Sequence, residues 1–416
     1  MPHVSLRLDR ILATPITGDT VGAPADADTS VGEAGRQGWT VEDLSPPAVT
    51  LRRSAIEHNL DVMGRWAADH GVELWPHGKT TMAPQLWERQ LATGATGLTA
   101  ATSAQVRGMR SVGVDRVLLA NELVDARSIA WIARGLDDPS WDFTCWVDSV
   151  DGVELLGHAL AASSVSRPAP VLIEMGHENG RTGARSVRTA MDVAEAVRRS
   201  PVLALTGVAG YEGTIGHERT PAALDRVDRF LETMDDVVGR LVGGGLVDGE
   251  VTVSAGGSLF FDRVAARFAG RPDPGVRVII RAGCTVTHDH GLYERSSPLA
   301  DTPDRFLPAI EAWGSVLSRP EPDVAVIGLG KRDVPSDIEP PIPLRIHRDD
   351  RSLDGMQVLR LMDQHAICRI PVELTLAPGE LVVFGISHPC TALDRRRVLF
   401  VLDDDDRVVD AVGTLF

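Results

Sequence analysis

At 416 residues the chain is too long for one small core, and with 43% hydrophobic and 24% charged residues it can bury a sizeable interior. No run approaches the roughly 18 consecutive apolar residues of a membrane-spanning helix, so a soluble protein is expected. A formal net charge of −16 argues against binding nucleic-acid backbone and leaves room only for a local basic pocket around a phosphate.

Residues 1–47 read as an N-terminal extension. A short alternating stretch, Val4 to Leu12, precedes a Gly/Ala/Asp/Thr-rich segment from Gly18 to Gly38 that is expected as a mobile loop and could join a later β-domain. No apolar core of signal-peptide length is present at the start, so cytoplasmic residence is expected. Four cysteines (Cys145, Cys284, Cys368, Cys390) lack framework spacing and read as reduced thiols or ligands. Ser54-Ala55-Ile56-Glu57 has a capping-box pattern, and Ile56, Leu60, Met63 and Ala67 fall on one helical face.

From there short apolar runs alternate with amphipathic, helix-length segments. The runs are Val72 to Pro76, Gly97 to Ala101, Arg116 to Ala120, Phe143 to Val147, Val171 to Met175, Leu203 to Ala209, Val251 to Ala255 and Arg277 to Ala282. Strand-plus-helix units over about 230 residues predict an α/β fold, a (βα)8 TIM-type barrel over 48–304, for which roughly 250 residues is typical. A doubly wound open sheet is the alternative. Residues 305–416 switch to Pro-rich turns between short alternating strands and predict an additional, mostly-β domain.

Barrel active sites sit at the carboxyl ends of the strands, and the unusual residues follow strands. Pro76 gives up a ladder donor, Gly78 lets the backbone turn, and Lys79 then projects; a lysine in such a site can form a Schiff base with an aldehyde cofactor. A plain loop lysine is the bland alternative. Arg181 follows the fifth run and Tyr211 the sixth. Tyr211 could meet a cofactor ring or simply pack at the rim. Ser254, Gly256, Gly257 and Ser258 belong to the seventh strand end, Gly283 and Cys284 to the eighth; the backbone N–H groups of Gly256, Gly257, Ser258, Gly283 and Cys284 are phosphate candidates, although Gly-Gly-Ser is also an ordinary turn. In the β-domain, Ser387-His388-Pro389-Cys390 offers an imidazole and a thiol two residues apart, a pair suited to zinc or, blandly, a buried Cys beside a hydrogen-bonded His. Asp363-Gln364-His365 and His288-Asp289-His290 are further polar clusters of the same character.

Pro76-His77-Gly78-Lys79-Thr80, Arg181-Thr182-Gly183 and His388-Pro389-Cys390-Thr391 together resemble the D-serine dehydratase and D-threonine aldolase family, from about Pro46 to Phe416. Its members are fold-type III pyridoxal-phosphate enzymes with an alanine-racemase-like barrel and a β-domain. The resemblance implies that Lys79, within a motif that includes His77, holds pyridoxal 5'-phosphate and that Arg181 lies near its ring oxygen. It also implies that Tyr211 and the Gly256/Gly257 loop complete the cradle, and that His388 and Cys390 bind Zn2+ or another divalent cation; Ser254, Gly283 and Cys284 are the further cofactor-binding candidates at the strand ends. His365 is the candidate proton donor, and a homodimer is expected. The implied reaction removes water, then ammonia, from a D-β-hydroxy-α-amino acid such as D-serine or D-threonine to give a 2-oxo acid. Retro-aldol cleavage to glycine and an aldehyde is the nearest alternative; aldolases of the family tend to carry a carboxylate where Cys390 stands. A non-catalytic pyridoxal-phosphate carrier, a racemase and a metal-dependent hydrolase are the others. The chain departs from the family where Thr81-Met82 replace His-Lys after the lysine motif, and in its long N-terminal extension.

Overall fold

In the computed structural model, which describes residues 5–270 and 275–416, each of the eight apolar runs overlaps a parallel strand. They are β1 (Glu73–Leu74), β2 (Leu98–Ala100), β3 (Arg116–Glu122), β4 (Asp142–Val147), β5 (Ala169–Met175), β6 (Leu203–Gly210), β7 (Val251–Ala255) and β8 (Val276–Ile280). Hydrogen-bonded neighbours run β1-β8-β7-β6-β5-β4-β3-β2. Parallel bridges from Leu74 to Ala95 and from His77 to Thr99 join the two ends of that order. The sheet therefore curls round as a (βα)8 barrel, and the open doubly wound alternative falls away.

The helices between strands start where the sequence supplies a cap. Thr102, Asp125, Ser149, Ser186 and Thr220 accept the backbone N–H of Gln105, Ser128, Gly152, Thr189 and Ala223. Each such cap is worth about 1 kcal/mol. The helix at Arg53–Asp69 differs from expectation. It begins before Ser54, whose hydroxyl donates to Asp404 Oδ1 at 2.6 Å, so the expected capping box does not form.

Two compact units emerge, one built chiefly of residues 63–79 and 90–283, the other of 7–62, 80–89 and 284–416. Residues 48–62, 80–89 and 284–304, grouped with the barrel from sequence, thus fall in the second unit. The reason for the first of these is strand pairing: Ala48–Arg52 lies between Ile310–Glu321 and Val398–Leu402 in a nine-stranded sheet. Strands Ile342–Ile346 and Ala366–Arg369 of that sheet were not read from sequence. The first contains Pro343 and follows Pro340-Pro341, which read as turn.

Alternation along this sheet separates two apolar layers. Leu51, Ala312, Phe384 and Val401 belong to one cluster, Ala48, Trp313, Val383 and Phe400 to the other. The second cluster includes Ile16, Ala23, Ala27, Val31 and Ala34, so the Gly18–Gly38 segment expected as a loop packs small apolar side chains on a sheet face. Within it Asp28–Ser30 pairs as a strand with Pro15–Thr17 just before the segment, and a short helical turn follows at Val31–Arg36. Val4 of the expected alternating stretch lies outside the described residues, and Asp9–Leu12 is helical. Among the described residues no helix is long and apolar enough to cross a membrane.

In the first unit the barrel interior is an apolar layer of Trp75, Leu118, Trp146, Leu172, Ala209 and Ile279. Gly207 keeps the barrel wall tight. It sits where β5 and β6 slip register, with a φ of +150°, and a Cβ there would lie 1.9 Å from the Thr252 carbonyl oxygen of β7. Because that neighbour is backbone, the strain cannot be relieved by a rotamer change. Gly207→Ala is expected to lower the urea midpoint by about 1–3 kcal/mol of stability with little change in slope. An unchanged midpoint would show that β6 and β7 do not approach this closely.

Candidate active site

Strand residues two apart share a face, so the positions two beyond the apolar layer form the next layer toward the carboxyl ends. Trp75 is followed in this way by His77, Trp146 by Asp148, Leu172 by Glu174, Ala209 by Tyr211 and Ile279 by Arg281. Glu122 joins them after an irregularity in β3 that places it opposite Trp146. A polar layer thus caps the apolar one at the barrel mouth.

Lys79 follows β1 on the turn Gly78–Thr80, half-buried, and makes no hydrogen bond or ion pair among the described residues. The enclosed Nδ1 of His77 has no hydrogen-bond partner. Burial, with the charges of Lys79, Arg281 and Arg181, holds the imidazole well below its usual range, so it is neutral at physiological pH. Gly283 permits this approach, since a Cβ there would lie 2.5 Å from the His77 carbonyl oxygen.

Arg281 is 2% exposed. It donates to Ser254 Oγ at 2.8 Å and to the Gly210 carbonyl at 2.7 Å, and its guanidinium lies 5.0 Å from the Trp146 ring centroid. Its Nε is buried without a partner. Burial lowers its pKa to about 10 against the opposing pull of Glu212, Glu174 and Tyr211, so it stays cationic. Arg181 is stacked over Tyr211 at 4.7 Å. The tyrosine ring is wedged between Gly213 and Gly257, where added Cβ atoms would lie 2.4 and 2.8 Å from it. The amides of Gly257 and Gly256 donate to the buried Glu212 carboxylate at 2.6 and 3.3 Å. These two N–H groups, phosphate candidates from sequence, are therefore engaged within the chain. The residues nevertheless suit an anionic, aldehyde-bearing aromatic cofactor: an unpaired lysine amine, a buried cation with an open N–H and an unpartnered imidazole nitrogen.

Glu122, Asp148 and Glu174 bring one oxygen each within 4.8 Å of one another, the single such His/Cys/Asp/Glu trio among the described residues. Burial, the adjoining Glu174 carboxyl and the charges of Glu174 and Asp148 push Glu122 up to about 8. At neutral pH Glu122 therefore keeps its proton, which gives a partner to carboxyl oxygens that otherwise have none.

In the second unit His388 has a left-handed φ of 78°. Its backbone N–H donates to Asp289 Oδ2 at 2.8 Å, and its ring Nδ1 lies 2.6 Å from Asp337 Oδ2. Asp289 is fully buried, and its other oxygen accepts the N–H groups of Gly291 and Tyr293 at 3.0 and 2.9 Å. Thr391 Oγ1 donates to Asp337 Oδ1 at 2.9 Å. Burial pushes the Asp337 carboxyl up, but the bonds from His388 and Thr391 outweigh it and leave the pKa lowered. With Nδ1 donating to a carboxylate, Nε2 keeps its lone pair, the arrangement typical of a metal-binding imidazole.

Cys390 is half-buried, with Sγ 3.3 Å from Cys284 Sγ and 3.4 Å from Thr80 Oγ1. An imidazole and a thiol two residues apart, one oriented by a carboxylate, fit a divalent ion whose remaining positions go to water or substrate. No further His, Cys, Asp or Glu completes a trio with them among the described residues. His365 is exposed on the turn of a hairpin and shares no bond with this cluster. His288 pairs with Glu294 at 3.3 Å, and His290 Nδ1 is buried without a partner.

Arg281, Glu122, Asp148, Glu174 and Asp337 were not singled out from sequence. Four of them end or follow a barrel strand, and a charged residue closing an apolar run was the signal available.

The family described as "Alanine racemase, N-terminal domain" matches residues 51–256, and that described as "Putative serine dehydratase domain" matches 309–402. The chain is 24% identical over 330 residues to a D-threonine aldolase of Arthrobacter sp, covering 79% of this chain and 80% of that protein. It is 22% identical over 353 residues to a 3-hydroxy-D-aspartate aldolase of Paracoccus denitrificans, covering 82% and 86%. Among solved structures it resembles D-threonine aldolase from Filomicrobium marinum (TM-score 0.77, 24% identity, 92% of this chain and 98% of that one). It also resembles D-threo-3-hydroxyaspartate dehydratase from Delftia sp. HT23 (TM-score 0.73, 18% identity, 90% and 99%).

The raised Glu122 carboxyl has a sign that can be checked. Folded protein holds this proton up to about pH 8, whereas an unfolded chain releases it near the ordinary glutamate value of 4.5. The associated stability is complete below 4.5 and is lost as pH rises to about 8. Glu122→Gln should flatten that part of the curve of unfolding free energy against pH. An identical slope in both proteins would mean that Glu122 ionises normally.

Proposed function

We propose, from the premise that the chain belongs to the fold-type III family joining an alanine racemase N-terminal domain to a serine dehydratase domain, that it is a pyridoxal-phosphate- and divalent-metal-dependent lyase of D-configured 3-hydroxy-α-amino acids. The observation that carries this reading is one chain's possession of an unpaired Lys79 at a barrel mouth and of a His388-x-Cys390 pair with an orienting carboxylate. The names of the relatives, aldolases and a dehydratase of D-threonine and D-3-hydroxyaspartate, support the substrate class. A solved form of that dehydratase with a cysteine replaced is described as metal-free, which supports a metal role for a cysteine.

When bound, pyridoxal phosphate supplies an electron sink for charge left at the substrate's α-carbon, and the ion supplies Lewis-acid help to its hydroxyl. The chain supplies the rest. Lys79 Nζ would hold the cofactor, and the same amine is the group placed to take the α-proton. Arg281 stays charged at neutral pH and offers its open Nε–H, while His77 stays neutral and offers Nδ1. Asp337 fixes the tautomer that leaves His388 Nε2 free for the ion, with Cys390 Sγ beside it in sequence. An imidazole–thiolate donor set favours zinc.

Elimination to a 2-oxo acid and ammonia is the first reading, because residue 390 is a thiol rather than the carboxylate associated with the family's aldolases. Retro-aldol cleavage is the second, favoured by the two aldolase relatives, each matched over about four-fifths of this chain. A homodimer belongs to the same proposal. Incubation with D-serine, D-threonine and D-3-hydroxyaspartate separates the two: a 2-oxo acid with ammonia supports elimination, and glycine with an aldehyde overturns it.

The purified protein is expected to be yellow, and Lys79→Ala to lose that absorbance. Cys390→Ala should keep the colour, lose bound metal in elemental analysis, and fall by roughly three decades in rate. Full activity in metal-free Cys390→Ala would overturn the metal role.

A further inference from the structure

Cys284 and Cys390 stand 3.3 Å apart at Sγ, inside the about 3.5–4.0 Å of ordinary carbon contacts although sulfur is the larger atom. Both belong to the second unit. Cys390 is half-buried and Cys284 buried, so Cys390 is the more accessible residue of the two. The hydroxyl of Thr80 is 3.4 Å from Cys390 and 3.7 Å from Cys284, close enough to serve either sulfur. A disulfide is about 2.0 Å long, so closure asks for about 1.3 Å of approach. The 3-10 turn at Pro389–Thr391, with one face toward solvent, is a local element able to supply it.

We propose that this pair is a peroxide-responsive dithiol: Cys390 is the sulfur attacked and Cys284 the one that resolves it. In the first step the peroxide O–O bond breaks, one oxygen adds to Cys390 as a sulfenic acid and the other leaves as water. In the second, Cys284 sulfur attacks Cys390 sulfur, the S–O bond breaks, and the hydroxyl leaves as water with the Cys284 proton. Two thiols are oxidised and one peroxide is reduced to two waters. Disulfide formation stands on the sulfur geometry alone. Its consequence rests on the proposed function, because the bridge removes the thiolate that would hold the ion beside His388. The bond is reversible by thiols, so the chain converts an oxidant pulse into a recoverable loss of metal instead of a permanent lesion.

The test treats full-length protein with hydrogen peroxide, with and without added zinc, and maps peptides under non-reducing conditions. The expected product is one cross-linked pair containing Cys284 and Cys390, with Cys145 and Cys368 unmodified; zinc slows its formation and dithiothreitol reverses it. In Cys284→Ser no bridge can form, and Cys390 should collect two oxygens as a sulfinic acid that dithiothreitol does not remove. Wild-type protein that gives sulfinic acid at Cys390 with no cross-link overturns the proposal. So does Cys284→Ser protein that has lost its metal before any oxidant is added, since that makes Cys284 a ligand. A bridge that forms while bound metal is retained leaves the dithiol standing and refutes Cys390 as a metal ligand.

Discussion

A guanidinium inside a barrel is the constraint that the first unit is built to meet. Removing an ion from water costs several kcal/mol even after relaxation, and Arg281 is 2% exposed. Ser254 and the Gly210 carbonyl each take one of its hydrogen bonds, Trp146 lies beneath it, and the charges of Glu212 and Glu174 offset much of the desolvation. Those partners come from strands β4 to β7 or just after them, so satisfying one cation fixes the relative height of four neighbouring strands. The layer it belongs to then has little freedom. Glu212 is itself held by the Gly256 and Gly257 amides, and Tyr211 is trapped between Gly213 and Gly257 under Arg181. What remains open in this layer is a short set of polar atoms, Arg281 Nε and His77 Nδ1 among them. Buried donors without partners are uncommon in folded proteins, and their collection at the carboxyl ends of barrel strands is where a bound group would repay them.

The second unit solves a different problem, holding one residue in a conformation that L-residues avoid. His388 has φ 78°, a region that costs a non-glycine residue of order 1–3 kcal/mol. Asp289 offsets that cost from within the core by accepting the His388 N–H, while its own orientation is secured by the amides of Gly291 and Tyr293. Asp337 holds the ring. Backbone and imidazole are thus fixed by two separate carboxylates, which leaves one ring nitrogen as the remaining free variable.

Lys79 was legible because an apolar run ends at Pro76 and a single lysine follows, and the barrel was legible because such runs recur at barrel spacing. Arg281 was not, since it lies inside the run read as the eighth strand, where a charged residue looks like part of the wall. Reading two residues beyond each inward-facing position would have found it together with Glu174 and Asp148. Asp337 lay further out of reach: it is 51 residues from His388 in a Pro-rich stretch, and no local pattern reports a contact of that separation. Asp289 was noticed as a potential ligand between two histidines, whereas its work is to accept backbone N–H groups. The segment 18–38 misled for a compositional reason. Alanine and glycine read as loop, yet small side chains are what a sheet face carrying Trp313 and Phe400 can accommodate closely.

Residue 390 joins two properties that are usually considered apart. A thiolate beside an imidazole is a soft donor set that selects zinc over harder ions, whereas a carboxylate in the same place would suit magnesium or manganese. The choice of sulfur also brings a liability, since a carboxylate cannot be oxidised by peroxide and a half-buried thiol can. Cys284 changes the outcome of that liability. With a second sulfur 3.3 Å away, oxidation has a product that ordinary thiols can undo. Under the metal role proposed for Cys390, the neighbouring Cys284 would therefore offset the liability that sulfur brings. Cys145 and Cys368, buried elsewhere with pKa values pushed up to about 12, have no such neighbour and no such use.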